Sequence, residues 1–123
     1  MKKAPLLLAG LCLVSIGVPA TAQINPFRSN RWEPTLSATD LDLQGNSINQ
    51  LNRKPNLEVG AEESWSNPAT GSYGSSKVTR IFVDAKRPCH EIHHEVAAQG
   101  RTPPRTYELT WCRISNGQWK IKS

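Results

Sequence analysis

The sequence predicts a small α+β domain that is mainly β: an antiparallel sheet preceded by one short helix and held by one disulfide. Three observations point there. Val78 to Asp84 is rich in branched and aromatic residues, Thr106 to Lys122 alternates on both sides of Asn116-Gly117, and two cysteines, Cys89 and Cys112, stand in the carboxy-terminal half.

The chain opens with Lys2 and Lys3, an uncharged apolar run from Ala4 to Val18, and the small-residue site Ala20-Thr21-Ala22. This order predicts a secretory signal peptide over residues 1–22, with an apolar run shorter than the about 20 residues that span a bilayer. Cys12 follows Leu11, which does not suit lipid attachment, so the expected mature chain carries no anchor. Export to the periplasm is the leading expectation, with the cell surface or outer membrane as alternatives. The remaining 101 of 123 residues make one small domain that benefits from reinforcement. In an oxidising compartment the simplest use of two cysteines is a bridge, the alternatives being a reactive thiol or a metal ligand.

Residues 23–36 are polar, hold Pro26 and Pro34 and show no periodicity, so they read as a flexible segment before a domain at 37–123. Ser37 or Thr39 can cap a short helix, with Asp40 in its first turn and Leu41, Ile48 and Leu51 near one face; Gly45 and the asparagines weaken it. Residues 53–60 read as a connection. Trp65 to Gly71 sets an aromatic against turn-forming residues, Gly71 to Ser76 reads as flexible, and Pro88 is expected to end the strand that begins at Val78.

Asn116-Gly117 predicts a two-residue type I′ turn, which pairs Ile114 with Trp119, Arg113 with Lys120 and Cys112 with Ile121. Alternation then assigns Cys112, Ile114, Trp119 and Ile121 to the core. The opposite face, Trp111, Arg113, Lys120 and Lys122, becomes the candidate contact surface, its like charges relieved by Glu91, Glu95 or Glu108 or by an anionic ligand. Charge is uneven: residues 23–72 hold four basic and six acidic side chains, residues 73–123 nine and four. The basic half suits an anionic envelope component or an acidic envelope protein, or is a solvated surface. Export argues against nucleic acid as partner, and no feature sets the oligomeric state.

Val59-Gly60, Trp65-Ser66-Asn67-Pro68-Ala69-Thr70-Gly71, Gly74, Cys89-His90-Glu91 and Cys112-Arg113 followed by Asn116-Gly117-Gln118-Trp119-Lys120-Ile121 occur in the order of one family. From Val59 onward the chain resembles the carboxy-terminal domain of the seventeen-kilodalton bacterial outer-membrane surface antigens. The resemblance implies a β-rich envelope domain with its two cysteines in the family's paired positions, and no catalytic activity or cofactor. His90 stands where the family usually has arginine, and Asn116 where it usually has aspartate. The family's lipid-modified cysteine and glycine-rich stretch have no counterpart here.

Two other functions compete with a structural or binding module of the envelope. One is a periplasmic inhibitor of a hydrolase such as lysozyme. The other is a zinc peptidase, since His90-Glu91-Ile92-His93-His94 fits H-E-x-x-H, which on a helix brings two histidines to one metal. On a strand His90 and His94 would lie about 13 Å apart, and Ala97 and Gly100 stand where the extended metalloprotease pattern has Gly and His. Adventitious zinc on His93 and His94 is a further alternative. The parity of 89–96 is unresolved: a regular strand with Cys89 inward also turns Glu91, His93 and Glu95 inward. A bulge after Cys89, a sheet covered on both faces or a helix over this segment would each remove the conflict.

Overall fold

The computed structural model describes residues 35–122; the expected signal peptide lies outside them, as does the segment before Thr35. Helix α1 spans Ala38–Asn52. Ser37 caps it: its Oγ accepts the Asp40 N–H at 3.0 Å, and the Asp40 carboxylate accepts the Ser37 N–H at 2.9 Å. This reciprocal pair satisfies two donors that a helix start leaves open. Leu36, just before the cap, is buried in the core beside the half-buried Leu41. Such a pairing across a helix start fixes the entry of the chain, so Leu36, expected in the flexible segment, is part of the folded domain.

Five strands follow, β1 Glu62–Asn67, β2 Ser72–Asp84, β3 Arg87–Ala97, β4 Arg105–Arg113 and β5 Trp119–Ile121, in one antiparallel sheet of order 1-2-3-4-5. Among the described residues the fold is thus mainly β with one α-helix, as predicted. Helix α1 covers one face, where Ile48, Leu51, Trp65, Val78, Ile92 and Val96 form the core.

Two expected breaks are strand instead. Ser72 to Ser76 belongs to β2, and its small residues serve packing: a Cβ on Gly74 would lie 2.6 Å from the Glu95 carbonyl oxygen and 2.7 Å from Trp65 Nε1. Pro88 does not end an element either. It is the second residue of β3, paired with Val83, near a strand start where a missing N–H is tolerated. The chain reverses before it at Ala85 and Lys86, with φ of 47° and 63°. Two consecutive left-handed residues make this the I′-type reversal, built from residues that lack glycine's freedom, at a cost of about 1 kcal/mol each.

Residues 89–96 are neither a helix nor a bulged strand. His90, Ile92, His94 and Val96 face α1, and Cys89, Glu91, His93 and Glu95 take the other side. The bulge lies in β2, between Val78 and Arg80, and puts Phe82 opposite Cys89. Cys89 and Cys112 are directly opposed across β3 and β4, with Cα atoms 4.1 Å apart, and are joined by a buried disulfide. A cross-link of this loop length contributes about 3 kcal/mol.

The carboxy-terminal hairpin is one residue out of the expected register. Arg113 pairs with Trp119, Cys112 with Lys120 and Trp111 with Ile121. The Gly117 N–H donates to the Ile114 carbonyl, the Ile114 N–H to the Gln118 carbonyl, and Gly117 alone has positive φ, at 84°. Ser115, Asn116 and Gly117 therefore form a three-residue loop with glycine in the left-handed position, and no type I′ turn exists there. Because side chains alternate, this slip exchanges the faces of β5: Trp119 and Ile121 share a side with Trp111, and Lys120 and Lys122 with Cys112.

Candidate functional site

The slip divides the candidate contact surface. Trp111 is half-buried in the core and donates its indole N–H to His94 Nε2 at 3.0 Å. Arg113 is exposed on the same side of the sheet. Lys120 and Lys122 belong to the disulfide side, where Lys122 Nζ lies 2.9 Å from the Asp84 carboxylate and holds that carboxyl below its usual range. The four residues do not form one surface. Nor do Arg113 and Lys120 face each other, and Glu95 and Glu108 engage His93 instead.

The three histidines lie in three settings. His93, on the disulfide side, hydrogen-bonds Glu108, which raises its pKa above the ordinary value. His94 is fully buried, and burial, then the neighbouring His93, push its pKa down to about 4. An indole N–H only donates, so His94 Nε2 carries the lone pair and its Nδ1–H donates to Ser76 Oγ at 2.6 Å. In that tautomer the imidazole takes no proton from Ser76, and both side chains are enclosed, so the pair is not arranged as nucleophile and base. His90 is also on the helix side, 2.7 Å from Asn52 Oδ1 and stacked on Trp119 at 4.2 Å, and burial lowers its pKa. His90 and His94 thus sit in separate networks on one strand, so the helix that the zinc pattern requires is replaced by β3. His93 and His94 lie on opposite sides of it. Among the described residues no group of three metal-ligating side chains comes together.

What the topology does assemble is a cationic cleft of about 1200 Å³ where α1 ends. Arg53 and Lys54 follow the helix, Lys86 and Arg87 come from the β2–β3 reversal, and Arg113 leads into the β4–β5 loop; among the described residues no acidic side chain lines the cleft. Asn52, His90 and Trp119 also line it. Lys54 is paired with Glu63 at 2.7 Å and Arg87 with Asp84 at 3.5 Å. Arg53, Lys86 and Arg113 have no carboxylate partner among the described residues. Three buried side-chain atoms lack a hydrogen-bond partner among the described residues, Ser47 Oγ, Asn52 Nδ2 and Arg87 Nε, and the last two are donors on cleft residues. Leaving a buried donor unpaired costs about 1–3 kcal/mol, so unpaired donors beside unpaired cations mark a place suited to an acceptor.

Sequence reasoning found Arg113 and missed the other four cations, which lie far apart in the chain. A usable signal was present: Arg53-Lys54 directly follows the helix and Lys86-Arg87 comes one residue after the Val78 to Asp84 strand, so two basic pairs mark element ends. No protein family, curated protein or solved structure matches this chain.

Proposed function

We propose that the protein is an exported, non-catalytic module of the bacterial cell envelope that binds an anionic component through the cationic cleft. The observation that carries this is the convergence of five basic side chains from three separate segments on one cleft, with no acidic lining residue among the described residues. Focusing of positive charge in a concave site raises the local concentration of anions and their rate of capture. The buried disulfide suits a chain that folds outside the cytosol, in agreement with the signal peptide read over residues 1–22.

The resemblance to the seventeen-kilodalton surface antigens supports the envelope address, and its motif residues have definite work in this fold. Trp65 packs on Gly74, Asn67 and Thr70 bond Asp40, and Gly117 closes the last hairpin. The reading is tested by fractionating the native cell with a tagged chain, followed by crosslinking from position 86. Recovery in the envelope with an anionic component attached is the expected result. Recovery in the cytosol, or crosslinking to a lysozyme-like hydrolase, would replace this reading with another.

A further inference from the structure

The bulge between Val78 and Arg80 does more than set Phe82 opposite Cys89. It reverses the alternation of β2, so Ile81 pairs with His90 and Val83 with Pro88, and both aliphatic side chains take the face that carries the cleft. Among the described residues both stay exposed, Val83 at 73% and Ile81 at 42%. Exposed aliphatics therefore stand beside Lys86, and the turn that presents Lys86 keeps two non-glycine residues in the left-handed region. Strain of this kind persists where surrounding structure or function holds it.

Resting on the anion-binding reading, we propose that this end of the molecule is a membrane-apposition face. The cleft takes lipid phosphates, and Val83 and Ile81 enter the interfacial region of an anionic bilayer. Charge complementarity favours this occupant. The cations reach the negatively charged headgroup layer, where each basic residue strengthens attraction, while neighbouring aliphatics gain by leaving water. Trp119, apolar in body and half-buried at the cleft edge, is of the residue type enriched at that depth. A free phosphate compound would use the cations and leave Val83 and Ile81 in water.

The test measures binding of the full chain, exported so that the disulfide forms, to vesicles of phosphatidylglycerol with phosphatidylcholine, and to inorganic pyrophosphate in parallel. Binding should require phosphatidylglycerol and weaken with salt. It should fall by about tenfold or more in Lys86→Gln/Arg113→Gln, whose exposed side chains support no core contact. Val83→Ser should weaken vesicle binding by about fivefold and leave pyrophosphate binding unchanged. Pyrophosphate binding without vesicle binding, or vesicle binding indifferent to Val83→Ser, overturns the membrane inference and leaves the anion cleft standing. Binding of neither probe by the folded protein overturns both.

Discussion

The two ends of helix α1 are built in opposite ways. At its start the buried Asp40 carboxylate accepts the Ser37 N–H at 2.9 Å, the Asn67 amide at 2.7 Å and the Thr70 hydroxyl at 2.7 Å. Burial alone would raise the Asp40 pKa, but the hydrogen bonds from Thr70, Ser37 and Asn67 outweigh it and hold it at about 2. At the other end Asn52 is also buried, yet among the described residues neither its Nδ2 nor Arg87 Nε has a hydrogen-bond partner, and basic residues crowd the opening. One polar cluster is closed by its own chain and the other is left open. Burial of polar groups is common to both ends, and of the two, among the described residues, the second alone leaves donors for something else to satisfy.

If the enclosed groups serve stability, acid should act on them first. The folded pKa of His94 is depressed to about 4 from 6.5, so the folded state is at full advantage above pH 6.5 and loses it as pH falls towards 4. The expected loss is about 3 kcal/mol, read from urea midpoints across that range. His90, lowered by burial, adds in the same sense. His93, whose pKa is raised, acts oppositely: its contribution is present below pH 6.5 and fades as pH rises through its folded value. Asp40 acts lower still, its contribution being lost from pH 3.8 towards 2.

Substitutions should affect the two helix ends differently. Asp40→Ala strands the Asn67 amide and the Thr70 hydroxyl and removes half of the capping box, with an expected cost of about 2–3 kcal/mol in urea denaturation. Gly74→Ala forces the new methyl against the Glu95 carbonyl and the Trp65 ring, for about 2 kcal/mol by the same measurement. Asn52→Ala loses one hydrogen bond to His90 but removes an unpaired donor, so it should cost about 1 kcal/mol or less. At the cleft rim the sign reverses. Lys86→Gly relieves a left-handed residue and should raise stability by about 1 kcal/mol while weakening anion binding.

Much of the closed end was legible in the residues. Ser37, Asp40, Ile48 and Leu51 carry local signals for a capped, one-sided helix, and two cysteines in a β-rich half point to a bridge. Register was not legible, because Asn-Gly suits two hairpin loops that differ by one residue, and that residue exchanges every face of β5. The inward side of β3 was hidden for a related reason: its core positions include His90 and His94, which read as polar until Asn52, Ser76 and Trp111 are brought to them. The cleft was hidden by distance in sequence. Positions 53, 86 and 113 become neighbours only through the helix docking on the sheet, and the reversal at Ala85-Lys86 has no Asn or Gly to announce it.

The open end is tested most directly by titrating inorganic pyrophosphate into the isotopically labelled protein and following its amide and indole resonances. Saturable shifts are expected, confined to the Asn52 side-chain amide, Arg53, Lys86, Arg87, Arg113 and the Trp119 indole, and abolished in Lys86→Gln/Arg113→Gln. Unchanged spectra, or shifts centred on Lys120 and Lys122 or on the Asp40 cluster, would contradict anion binding at the open end.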